Sequence, residues 1–123
     1  MKYRIVKRIN PLNTTESKYY AAPQYMEKLT INDLAKDISD ACTLNVTDVE
    51  AVLISLVRKL PMYLKNGFKI QLGSFGGVKL SFSSKGSDTE EEVDASNITR
   101  KRILFTPGVE LKNEMKRTSF SKI

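Results

Sequence analysis

Apolar residues recur in two different periods along this chain. From residue 75 to 84 they alternate, with Val78, Leu80 and Phe82 on one side and Lys79, Ser81 and Ser83 on the other; Lys85 continues the polar side. Successive side chains of a strand point to opposite faces, so one face is greasy and the other polar and basic. Gly73, Gly76 and Gly77 divide residues 68–84 into two strands, 68–73 and 75–84, joined at a corner where the backbone must bend without side chains in the way. A further strand, 98–106, repeats the pattern. Ile103 and Phe105 share one face and Arg100 and Arg102 the other, with Leu104 as an apolar exception. Residues 2–9 set Tyr3, Ile5 and Ile9 against Lys2, Arg4 and Arg8, and predict an edge strand ended by Asn10-Pro11. Its basic residues have two readings: they guard the edge against stray pairing, or they contact an anionic partner.

Elsewhere the period is helical. Thr30 is placed to cap a helix over 30–42, with Asp33 at the third position and Ile31, Leu34, Ala35, Ile38 and Ala41 on one face. The Thr-Asp-Val-Glu run at 47–50 spells a capping box for a helix over 47–66, with Gly67 as its stop and Pro61 as an interior kink. Its apolar stripe, from Val49 through Leu56 and Leu60 to Leu64, is roughly 140° wide at 100° per residue, broad for a helix that buries one side. Pro107-Gly108 turns the chain into a last helix, 109–117. Residues 10–29 read as irregular, with Tyr19, Tyr20 and Tyr25 pinning a loop to the core or stacking on bases. Residues 83–97 read as a flexible connection or hairpin tip, and 118–123 as a frayed tail.

Charge adds a partner class. The 123 residues carry 20 Lys+Arg against 14 Asp+Glu, a net charge of +6, which favours polyanions by steering rather than by specificity. The distribution is uneven: residues 88–94 hold five acids and no base. There is no histidine, so the usual neutral-pH acid–base group is missing and His/Cys metal clusters are excluded. Cys42 is alone and reads as a small buried side chain. No run is long enough for a membrane span and no signal-peptide core is present, which predicts a cytoplasmic protein. An enzyme would have to use the carboxylates at 90–94, and an acidic run in a polar segment is usually solvated.

The run Leu72-Gly-Ser-Phe-Gly-Gly-Val78 resembles the Pro-Gly-Phe-Gly-Thr-Phe segment of the bacterial histone-like HU and integration-host-factor family. Phe105-Thr-Pro-Gly-Val-Glu-Leu-Lys-Asn113 resembles its closing Phe-Lys-Ala-Gly-Lys-x-Leu-Lys-Asp. The N-terminal strand, the Tyr-Tyr-Ala-x-Pro segment at 19–23 and the Leu-Gly-x-Phe-Gly spelling look like the HU-like proteins of the Bacteroides group. The resemblance implies an α+β fold with a helical base and a β-saddle, an extra N-terminal strand ahead of an HU-like domain over 30–117, and an intertwined homodimer. Phe75, Val78 and Phe105 match dimer-core positions, and the broad helix stripe adds Leu56 and Leu60. Lys79, Ser81 and Ser83 match the DNA-facing side of the saddle. Residues 86–94 depart from the pattern, with no Arg-Asn-Pro and no proline to wedge between base pairs.

The expected function is histone-like: duplex DNA held largely without sequence preference, at the bacterial nucleoid, with no cofactor, metal, membrane or small-molecule substrate. The expected contacts are Lys79, Ser81, Ser83, Lys85, Arg100, Lys101 and Arg102, with Lys2, Arg4 and Arg8 beside them. The other reading is a dimeric module that keeps the fold and binds a protein partner instead.

Overall fold

In the computed structural model, which describes residues 1–123, Thr30 leaves the extended conformation and opens helix α1 (Ile31–Asp40). Its hydroxyl accepts from the Asp33 N–H (3.3 Å) and its own N–H donates to the Asp33 carboxylate (2.9 Å), so the predicted capping box is formed. The helix stops at Asp40, and Cys42, expected to be buried, is exposed just beyond it. Helix α2 (Val46–Lys65) begins earlier than expected. Asn45, not Thr47, is its cap, with the side-chain oxygen accepting from the Asp48 N–H at 2.9 Å. Asparagine caps at least as well as threonine, and the earlier start frees Glu50 to accept from the Asn32 amide on α1 at 3.2 Å. The helix runs through Pro61 and ends at Asn66 and Gly67, whose φ of +88° is the left-handed stop that glycine allows.

The chain divides into two compact units, Thr30–Asn113 and Met1–Leu29 with Glu114–Ile123. In the first, α1 and α2 lie against each other and bury Ala35, Val49 and Leu64, the only buried apolar residues of the chain. No large side chain is fully buried. Val52, Leu56, Val57 and Met62 remain exposed along α2, and Leu60 is half-buried. The unit's sheet is antiparallel, in the order β3 (Ile70–Gln71), β4 (Gly76–Ser84), β5 (Ile98–Pro107). The first of these strands is shorter than expected because a 3-10 turn, Gly73–Phe75, takes up the corner. The Leu72 N–H closes that corner on the Gly76 carbonyl at 2.9 Å. Helix α3 (Val109–Lys116) follows the sheet.

The second unit corrects four expectations. Residues 10–29 are not irregular throughout: β2 (Asn13–Gln24) pairs antiparallel with β1 (Lys2–Asn10) from Lys2↔Gln24 to Asn10↔Asn13, and 25–29 alone are without regular structure after it. The tail is not frayed throughout, since β6 (Ser121–Lys122) pairs parallel with Lys2 and Tyr3. The strand order β2-β1-β6 therefore makes β1 a middle strand at its start rather than an edge. Tyr19 and Tyr20 stand on β2, and they and Tyr25 are exposed instead of pinning a loop. No helix of the chain is long and apolar enough to cross a membrane.

Candidate nucleic-acid interface

The β4–β5 ladder fixes which side chains share a face, because directly paired residues of antiparallel strands point the same way. Val78↔Phe105, Leu80↔Ile103 and Phe82↔Lys101 form one face; Lys79↔Leu104 and Ser81↔Arg102 form the other. The polar face is knit by Arg102, whose Nη1 donates to the Ser83 hydroxyl at 3.1 Å. Lys79 and Arg102 are exposed, while Ser81 and Ser83 are half-buried between the longer side chains.

The same register removes two expected members. Lys101 stands opposite Phe82 on the apolar side, because it shares a face with Ile103 and alternates with Arg102. Arg100 lies in a bulge: β4 advances two residues from Phe82 to Ser84 while β5 uses three, from Lys101 to Ile98. The extra residue interrupts the alternation that was to place Arg100 beside Arg102. Lys85 has left the strand and serves the connection through its backbone. Lys2, Arg4 and Arg8 belong to the other sheet and are no part of this strip.

One cation was missed. Gln71↔Gly77 puts Gln71 on the Lys79 face, and alternation along the chain carries Lys69 to the same side. Lys69, Gln71, Gly77, Lys79 and Thr106 border a concavity of about 400 Å³. The signal was present in the spacing of 69, 71 and 79, but it required crossing the glycine corner in the right register.

The apolar face is equally distinct. Phe75 packs against Phe105 with ring centroids 5.2 Å apart and planes tilted by 34°. Val78 is half-buried, yet Leu80, Phe82 and Ile103 remain exposed, Ile103 by 68%.

The acidic connection is folded. Asn97, only 8% exposed, donates through Nδ2 to the Lys85 carbonyl (3.2 Å) and the Ser87 hydroxyl (2.8 Å), and accepts from the Asp94 N–H (3.0 Å). Two 3-10 turns, Glu90–Glu92 and Ala95–Asn97, follow from this clamp. Asp94 accepts from the side chain and the backbone of Ser96, which together hold its carboxyl below the ordinary range. Glu90, Glu91 and Glu92 all face solvent.

A family model described as an HU domain fused to wHTH, Ig, or glycine-rich motif matches residues 1–122. The chain belongs to the HU-HIG family. Among solved structures, this HU-HIG chain is similar to a protein of Bacteroides vulgatus ATCC 8482 described as a candidate bacterial DNA-binding protein. The TM-score is 0.61 at 12% identity, over 99% of this chain and 47% of that one. The chain thus spans under half the length of that relative, and at this identity the likeness speaks for the fold. No curated protein matches the chain.

Proposed function

We propose that the chain is a histone-like architectural protein that binds duplex DNA as a homodimer, with little sequence preference, at the bacterial nucleoid. The observation that carries this reading is the division of the β4–β5 ladder into an exposed apolar face and a basic polar one. The apolar side, Leu80, Phe82, Ile103 and Phe105, is exposed, and so is much of the broad stripe of α2, at Val52, Leu56 and Val57. A unit with three buried apolar residues cannot cover both by itself, and a second copy would. The polar side offers Lys69, Lys79 and Arg102 to phosphates, with Ser81, Ser83 and Gln71 as hydrogen-bonding groups. Such contacts position a protein on DNA without reading bases.

The test is duplex binding by fluorescence anisotropy at several salt concentrations, for the unaltered chain and for Lys79→Ala/Arg102→Ala. Each phosphate contact contributes about −0.9 to the slope of log affinity against log salt. A homodimer presents each cation twice, so the double variant is expected to flatten the slope by about 3.6 if all four contacts form. A variant that keeps both affinity and slope refutes the assignment. The folded acidic connection favours a second reading, a dimer whose Asn97-clamped tip meets a basic protein partner. A stable dimer that binds no duplex at any salt would select it.

A further inference from the structure

We infer that the β1–β2 ribbon carries a second nucleic-acid surface, built from Arg4, Arg8 and Lys18 with Tyr20, which grips the sugar-phosphate backbone independently of the β4–β5 strip. The ladder from Lys2↔Gln24 to Arg8↔Lys18 sorts the ribbon into two faces. One face holds Lys2, Arg4, Arg8 and Lys18 with Val6, Tyr20, Ala22 and Gln24; its single carboxylate, Glu16, follows by alternation beyond these pairs and forms no ion pair. The other holds Tyr3, Ile5, Ile9 and a single cation, Lys7.

Two features of the basic face call for an anion. Arg8 and Lys18 are direct cross-strand partners, an arrangement that destabilises a sheet when both are charged. Neither has an acidic partner, since the ion pair formed in this unit is Glu114–Arg117. Glu16 borders the same hollow without pairing with them. That hollow, about 470 Å³, is lined by Arg8, Lys18, Tyr20 and Asn10 as well. A phosphate there would relieve the repulsion between the two cations.

The second feature is aromatic. The Arg8 guanidinium lies 5.6 Å from the centroid of the Tyr20 ring, which holds the cation over the face and keeps it exposed. Alternate residues of a strand stand about 6.8 Å apart, so Lys2, Arg4 and Arg8 mark out a row of about 20 Å along one side of β1. A repeating anion suits such a row better than a single small one. Duplex and single-stranded nucleic acid share this chemistry, and a base stacked on Tyr20 is open only to the single strand.

The experiment uses the full chain with a fluorescein-labelled mixed-sequence duplex and a single strand of the same length. Arg4→Ala/Arg8→Ala/Lys18→Ala is compared with Lys7→Ala, a cation removed from the opposite face. The triple variant is expected to lose at least tenfold in affinity at low salt and to flatten the salt slope, by about 0.9 per lost contact. Lys7→Ala should stay within twofold. Arg4→Lys/Arg8→Lys, which keeps the charge, should bind nearly as well and guards against a folding artefact. Loss on the single strand alone, shared by Tyr20→Leu, identifies that form as the ligand; loss on both identifies the backbone. Unchanged binding by the triple variant overturns the inference, as does an equal loss for Lys7→Ala. So does a triple variant whose only defect is on phosphatidylglycerol vesicles. Lys79→Ala/Arg102→Ala run alongside separates the two surfaces, since either can fail while the other stands.

Discussion

Replacing Gly76 by alanine tests the corner on which the whole β3–β4–β5 arrangement turns. Gly76 is buried, with φ of 144° and ψ of −174°, a region open in practice to glycine alone. Forcing an L side chain to hold it costs about 1–3 kcal/mol. The added Cβ would also collide with the Thr106 carbonyl oxygen and lie 2.9 Å from Cε2 of Phe105. Backbone on one side and a packed ring on the other leave no flexible chain end to give way, so overpacking adds about 1–3 kcal/mol. The sum, centred on about 4 kcal/mol, is a large part of the 5–15 kcal/mol typical of a folded domain. With a slope of about 2 kcal/mol per molar urea, the unfolding midpoint should fall by about 2 M. Protein concentration must be held fixed, because association adds to apparent stability. Gly86→Ala is the control: nothing lies within 4 Å of its added carbon, and a change under about 0.5 kcal/mol is expected. A midpoint for Gly76→Ala within about 0.5 M of the unaltered protein would refute the account of the corner.

Ile103→Asp should abolish the dimer in sedimentation at micromolar concentration; the residue is 68% exposed within one chain, so its loss reports on a partner and not on the chain's own core. A monomeric unaltered protein would sink that reading. Glu90→Gln/Glu91→Gln/Glu92→Gln should tighten duplex binding at low salt and lose the advantage as screening rises; unchanged affinity would mean the folded tip points away from DNA. Asp33 is held below its ordinary 3.8 by the Thr30 backbone N–H and then by the Thr30 hydroxyl. Its contribution to stability is therefore complete above about pH 4 and is lost as pH falls through the lowered value. Asp33→Asn should show a shallower acid limb in urea midpoints measured between pH 6 and 3, and parallel curves would count against the capping box.

Much of the helical layer was legible because its signals are local. Thr30 and Asp33 sit three residues apart, and their reciprocal bonds need nothing from the rest of the chain. Asn45 and Thr47 are both residues that cap, and the contact that goes with the Asn45 start, the Asn32 amide donating to Glu50 from across the helix pair, is not local to the cap. The strand β2 was hidden by its own composition, Asn-Thr-Thr-Glu-Ser-Lys with a proline near its end, since its regularity is imposed by the ladder to β1. The candidate strip shows the same divide. The faces of Lys79, Ser81 and Arg102 follow from alternation, and so does the apolar position of Lys101. The bulge at Arg100 could not be read from β5 itself, because it is a mismatch in length against β4. Lys69 required the register across a corner whose 3-10 turn no periodicity announces.

The parallel pairing of β1 with β6 has a consequence for how the chain emerges from the ribosome. The β1–β2 hairpin joins neighbours in sequence and can zip up as soon as it is made. At Lys2 and Tyr3 the other edge of β1 waits for β6, whose Ser121 comes 119 positions after its partner Lys2. At the usual 5–20 residues per second, that interval lasts roughly 6–24 s. Throughout it the nascent strand offers unpaired amides and carbonyls to any extended neighbour, including another copy on the same messenger. Lys2, Arg4, Lys7 and Arg8, four cations within seven residues, make that edge repel its own kind, during the wait at Lys2 and permanently from Arg4 onward, where β6 does not reach.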